Sequence, residues 1–274
     1  MELSEKEEKT QKEAIEYIKS HKEELVDKFI VSKKPLRLGV LTFFMAGSPG
    51  AGKTEFSRRY MTGVINKTNR KLISNMRKIG IDINNVDTIF IRIDVDEIRD
   101  FIPQYRKTDN QSCIVGNAHV IQKAATKGLD ILRKYCFQNN ISFLHDGTFG
   151  NYNTMKDLVR KSLKEGRDVK IFYIYLDPLA AWEFTKAREF IEGRNILKEK
   201  FVEQFFASRE NVNRIKQEFG SKVKLDCIIK GKNNEIEEIS LNVENVDNFI
   251  EKYYNRKSQS GYTKESLLEL ISDI

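Results

Sequence analysis

Proline is scarce, with four in 274 residues, so no proline-rich linker marks a domain boundary. The three cysteines, Cys113, Cys136 and Cys227, form neither a disulfide framework nor a zinc pattern, because their count is odd and their spacing wide. Reduced thiols are expected. His21, His119 and His145 stand too far apart for a metal-ligand motif. No uninterrupted apolar stretch approaches the roughly 20 residues of a membrane helix. The opening MELSEKEEKTQKEA is charged where a signal peptide needs an apolar core. A cytoplasmic protein with no membrane partner is expected. No Lys/Arg run with interleaved aromatics occurs, so nucleic acid is not the expected partner. Internal repeats and low-complexity tracts are also missing.

What the chain does have is enough apolar residue, 40%, for a sizeable core, and 32% charged residue to solvate its surface. Lys and Arg number 47 against 40 Asp and Glu, a net charge of +7. That excess serves solubility or a phosphate-bearing partner. The length suits one large domain or two small ones.

Ile15, Ile18, Leu25 and Phe29 recur at helical spacing, predicting one helix over 3–30 that ends at Ser32–Pro35. RLGVLTFFMA (37–46) reads as a buried strand, followed by a glycine-rich segment and a helix over Lys53–Thr68. DTIFIRID (87–94), ISFLHDGT (141–148) and VKIFYIYL (Val169–Leu176) read as further strands. Helices are expected over 117–138 and Thr154–Glu165, and from Leu179 to about Phe219 with a break near Gly193. Strands alternating with helices in this way imply an α/β fold, a mostly parallel sheet with helices on both faces. KLDCIIKG and NNEIEEISLNV read as a C-terminal hairpin turning at Lys232–Asn234. VDNFIEKYY and KESLLELISDI read as terminal helices joined by an Arg256–Gly261 linker.

Residues 47–54, GSPGAGKT, fit G-x-x-x-x-G-K-[ST] between a strand and a helix. Gly47, Gly50 and Gly52 allow a tight backbone turn. With Ser48, Pro49 and Ala51 they form a loop whose amides point at phosphate oxygens, at the positive end of the next helix. Lys53 reaches the terminal phosphates, and the Thr54 hydroxyl is a ligand for Mg²⁺. The motif predicts nucleotide binding but leaves the reaction open. No guanine-reading N-K-x-D motif follows, and the chain is short for a motor ATPase. A small-molecule kinase using ATP and Mg²⁺ fits the size. A nucleotide-gated binding module without transfer chemistry and a nucleic-acid end-kinase stand beside it.

In α/β sheets, ligands gather at the carboxyl ends of strands. IFIRIDVDEIRD therefore brings Asp94 and Asp96 to such an end. A kinase needs one carboxylate to take the proton of the attacking hydroxyl and often another for the metal or its waters. Either aspartate would equally serve as a helix N-cap. Asp146 and Thr148 end the next strand in HDGTFG, where Asp-Gly also suits a simple turn. In KAREFIEGRNILKEKFVEQF, Arg188 and Arg194 suit a lid over the transferring phosphoryl group, with a solvated helix face as the plain reading. Arg209 and Arg214 are rival choices.

The ordered set GSPGAGKT, RIDVDEIR, LHDGTFG and an arginine-bearing helix resembles the zeta toxin family of bacterial kinases. The likeness runs from the first helix to the hairpin near Val243. It implies a kinase domain over 1–247 with a helical tail over 248–274. It also implies an ATP- and Mg²⁺-dependent enzyme that phosphorylates the 3′-hydroxyl of the sugar in UDP-N-acetylglucosamine, and a small helical antitoxin as partner. By the family's motif, Asp96 is the general base, Lys53 and Thr54 hold ATP and Mg²⁺, and Arg188 and Arg194 stabilise the phosphoryl group. Asp94, Asp146 and Thr148 fall on the substrate side. The best-known members have Glu where this chain has Asp146, and an Arg where it has Phe149-Gly150. A kinase of the same fold acting on another nucleotide, metabolite or nucleic-acid end is the alternative.

Overall fold

A computed structural model describes residues 3–37, 41–60, 89–106, 116–192, 196–256 and 261–271. The chain divides into two interleaved units. The first comprises Met1–Val40, Arg58–His145 and Phe190–Arg194, the second Leu41–Ser57, Asp146–Glu189 and Asn195–Ile274. The strands belong to a six-stranded, mostly parallel sheet.

The first unit opens with α1 (Glu5–Ser20) and α2 (Lys22–Phe29). A capping box starts α1: Ser4 Oγ accepts from the Glu7 amide, and the Glu7 carboxylate accepts from the Ser4 amide. The Ser4 amide and the Ser4 hydroxyl, both donating to the Glu7 carboxylate, hold its pKa down to about 2, with His119 adding to the effect. The single helix expected over 3–30 is in fact two. The Ser20 hydroxyl donates to the carbonyls of Glu16 (2.9 Å) and Tyr17 (3.1 Å). That competes with the helical ladder and bends the chain at His21, whose ring stacks on Tyr17 at 4.0 Å. Ala14, Ile18, Leu25 and Phe29 still form one buried stripe, so the apolar period survives the break.

β2 (Ile91–Asp94) and β3 (Phe143–Asp146) are neighbours in the sheet. The first residues of the strand expected over 87–94 lie outside the described residues. Between β2 and β3 come a short α4 (Val95–Arg99) and the long α5 (Ala118–Gln138), with α1, α2 and α4 packed on α5. The period read over 117–138 matches α5, because Val120, Ile121, Ala124, Leu132 and Cys136 are buried at helical spacing.

The second unit holds β1 (Leu41–Ala46), β4 (Asp168–Leu176), β5 (Val223–Lys230) and β6 (Ile236–Ser240), adjacent in that order. β1–β4 and β4–β5 are parallel and β5–β6 is antiparallel. β1 is buried along its whole length, as a strand covered on both faces must be. Lys170 of β4 and Asp226 of β5 form a buried ion pair at 2.8 Å. The unit's helices are α3 (Lys53–Glu55, continued by a π turn over Phe56–Tyr60), α6 (Tyr152–Lys164), α7 (Pro178–Glu192), α8 (Lys198–Phe219), α9 (Val246–Arg256) and α10 (Lys264–Leu270). Gly193, the expected break between α7 and α8, lies outside the described residues. The hairpin turns at Gly231–Glu235, with Asn234 at φ 64° and the Gly231 amide on the Glu235 carbonyl at 2.8 Å. α9 and α10 both pack on α8.

Candidate functional site

The glycine loop leaves the carboxyl end of β1 and runs into α3. Gly47, Gly50 and Gly52 sit at φ 137°, 73° and 75°, conformations that a side chain strains. Space is as restrictive as torsion. A Cβ on Gly47 would stand 2.3 Å from the Ile174 carbonyl oxygen of β4, and one on Gly52 2.4 Å from Lys230 Nζ. Residues distant in sequence hold the loop's start. The Gly47 amide donates to the buried Ser208 Oγ of α8 at 2.7 Å and faces the Thr148 carbonyl at 3.5 Å.

Lys53 folds back over the loop, its Nζ donating to the carbonyls of Ser48 (2.6 Å) and Gly47 (3.1 Å). Its charge thereby lies across the concavity that the glycines create. The Thr54 hydroxyl is 3.5 Å from Asp146 Oδ2 at the end of β3. These two hard oxygen donors suit Mg²⁺, which binds few protein ligands and keeps several waters. Among the described residues, no group of three or more His, Cys, Asp or Glu could hold a metal ion by itself.

The loop, Lys53, Thr54, Asp146 and Thr148 thus belong together within the second unit. Phe149 follows at φ 63°, rare for a bulky residue. It is buried edge-to-face on Phe44 at 5.7 Å, and its carbonyl accepts from Asn211 Nδ2 at 3.0 Å. Packing therefore occupies this position.

Asp94 and Asp96 belong to the first unit. Asp94 is buried and engaged through both oxygens: Oδ1 accepts the Asp96 amide at 2.9 Å and caps α4, and Oδ2 pairs with Arg92 Nη1 at 2.8 Å. Arg92 also binds Glu97, which takes Arg58 Nη2 at 3.2 Å. Asp96 sits one residue inside α4, more exposed, with Oδ1 on Arg99 Nη1 at 2.5 Å. Behind the end of β3, His145 is held neutral. Burial pushes its pKa well below the ordinary value, and the adjacent Arg133 guanidinium pushes it further.

Arg188 lies on an exposed face of α7, and Arg194 lies outside the described residues. The rivals are engaged: Arg209 Nε pairs with Asp247 at 2.7 Å, and Arg214 stacks on the Tyr152 ring at 3.7 Å. Sequence reasoning passed over Ser208, Lys230 and Asn234. A lysine ending an apolar strand at its carboxyl end was the available signal for Lys230. Nothing local marks Ser208, and Asn234 reads locally only as part of the hairpin turn.

The strand, glycine loop and helix with these partners define a P-loop protein. Residues 83–244 match the zeta toxin family model, and the chain belongs to that family. No curated protein matches it in sequence. A solved structure of the AvrRxo1-ORF1:-ORF2 complex is 13% identical, covering 85% of this chain and 71% of that one at a TM-score of 0.57. The same complex with ATP is 12% identical over 89% and 71%, at 0.51. The structure of the PezAT chromosomal toxin-antitoxin system of Streptococcus pneumoniae is 15% identical over 98% and 88%, at 0.49. The AvrRxo1 pair shares this chain's fold. Among the described residues, no helix is long and apolar enough to cross a membrane.

Proposed function

We propose that the chain is an ATP-dependent phosphotransferase of zeta toxin type, whose acceptor is the 3′-hydroxyl of the sugar in UDP-N-acetylglucosamine. The observation that carries this reading is the cradle: three glycines at positive φ, with Lys53 folded across them and Thr54 beside Asp146. The loop amides and Lys53 bind the β- and γ-phosphates. Thr54 and Asp146 would hold Mg²⁺, whose charge would offset that of the phosphates. Asp96 accepts the proton as the acceptor hydroxyl oxygen bonds to the γ-phosphorus and ADP leaves. Arg188 and Arg194 stabilise the charge on the transferring group, and Thr148 lies on the acceptor side; Asp146 serves the metal instead, and both Asp94 oxygens are taken by the α4 cap and Arg92. The fold shared with a structure solved with ATP supports the nucleotide. Family membership and the fold shared with an ORF1:-ORF2 complex support a protein antitoxin.

A second acceptor is favoured by one observation. Phe149 fills a packing role where the best-known relatives carry an arginine, and a site built to bond a hydroxyl is strict about its partners. The test is ADP release from the pure protein with ATP, Mg²⁺ and a panel of UDP-sugars, nucleotides and oligonucleotides. Turnover with UDP-N-acetylglucosamine, absent in Lys53→Ala, is expected. Turnover only with another acceptor selects the second reading. ATP binding without turnover on any acceptor defeats both. Expression without an antitoxin is expected to slow bacterial growth, and the Lys53→Ala chain is not.

A further inference from the structure

Thr54 is followed by a carboxylate. Glu55 occupies the first turn of α3, directly after the residues that would hold the nucleotide's phosphates and metal. An unneutralised negative charge there opposes a triphosphate, because like charges a few ångströms apart repel strongly where solvent is partly excluded. The fold answers from two strands away in the sheet. Lys230 ends β5, and its fully buried side chain brings Nζ to 3.2 Å from Glu55 Oε2. Asn234 Nδ2, from the hairpin turn, donates to the same oxygen. The pair presses on the cradle itself: a Cβ on Gly52 would lie 2.4 Å from Lys230 Nζ and 2.7 Å from Asn234 Oδ1. The β5–β6 hairpin thus delivers one cation and one amide to the carboxylate that borders the loop.

We propose that Lys230 is a positioning residue of the nucleotide site that acts through charge: by neutralising Glu55 it leaves the cradle net positive. The inference rests on the cradle holding a nucleotide's phosphates. Charge and geometry separate experimentally. Lys230→Met keeps the length and apolar bulk of the side chain while removing its charge, so Glu55 stands unpaired beside the phosphates. The Kd for ATP–Mg²⁺, read by titration calorimetry on the full chain, is expected to rise about tenfold or more. The double variant Lys230→Met/Glu55→Gln removes both charges and is expected to bind within about threefold of wild type.

Each outcome decides. Lys230→Met binding as tightly as wild type overturns the proposal. A double variant as weak as the single one also overturns it, because the tie is then mechanical rather than electrostatic. If Lys230→Met does not fold, Glu55→Gln alone serves: it leaves the Lys230 cation beside the triphosphate, so ATP should bind more tightly and lose more affinity between 50 and 200 mM salt, on the order of one extra charge contact. Unchanged affinity and salt slope in that variant would refute the idea. Wild-type protein that binds no ATP removes the nucleotide reading itself and this inference with it, a result distinct from any of the variant outcomes.

Discussion

Two strand ends in this protein are built in opposite ways. At the end of β1 the chemistry lies in the backbone, with glycines at positive φ and a side chain, Lys53, bonded to main-chain carbonyls. At the end of β2 it lies in side chains, where Arg92, Asp94, Asp96, Glu97 and Arg99 engage one another. The first arrangement resists substitution at its glycines, because all three hold a positive φ and a Cβ on Gly47 or Gly50 would run into backbone. The second contains two aspartates of identical chemistry, two residues apart, whose duties differ. Asp94 is consumed by a cap and a buried arginine, whereas Asp96 is more exposed and pairs with Arg99 on one oxygen.

The sharpest test of the backbone side is Gly47→Ala. The added methyl would meet the Ile174 oxygen at 2.3 Å, so the loop must move. Loss of ATP binding and a fall in Tm are expected, by calorimetry and thermal melting. Tight binding by this variant would break the comparison.

Next in size is Asp96→Asn. A general base contributes about 10²–10⁴-fold, so phosphotransfer should fall by that factor while ATP affinity and Tm stay near wild type. The helical Asp96–Arg99 pair itself is worth only about 0.5 kcal/mol. Asp94→Asn should do the reverse to stability. Asparagine still caps α4, but Arg92, buried at 8% exposure, loses a charged partner, at a cost of about 1–3 kcal/mol in a denaturant titration. If Asp94→Asn is silent in stability and Asp96→Asn is the destabilising one, the two roles are exchanged.

The smallest effect concerns His145, behind the end of β3. Its folded pKa is depressed, so between that value and the ordinary 6.5 the unfolded chain binds the extra proton. Stability contributed there is complete above about pH 6.5 and drains as pH falls below it. The slope of Tm against pH between 6.5 and 5 should be shallower in His145→Gln than in wild type. Equal slopes would show that the residue does not report on acid sensitivity.

The glycine loop was legible because sterics are local: a G-x-x-x-x-G-K-T run after an apolar strand leaves the backbone few other conformations. α5 and β4 were legible for a similar reason, since their apolar periods declare a buried face. The single helix expected over 3–30 misled because the period continued through a break made by a side-chain hydroxyl at Ser20, which periodicity does not register. The roles of the carboxylates were not legible. Asp94 and Asp96 looked interchangeable by spacing, since either suits a helix start, and the structure makes Asp94 the cap and leaves Asp96 more exposed beside Arg99. Arg209 and Arg214 looked like candidates until their partners, Asp247 and Tyr152, came from segments far along the chain.

By itself the sequence determined where the strands run and that the loop after β1 takes a tight, glycine-built turn, because backbone torsion and apolar period act over a few residues. Only the tertiary structure decided which charges are paired. Electrostatic partners are chosen by distance in space, and Lys230 meets Glu55 across 175 positions of chain.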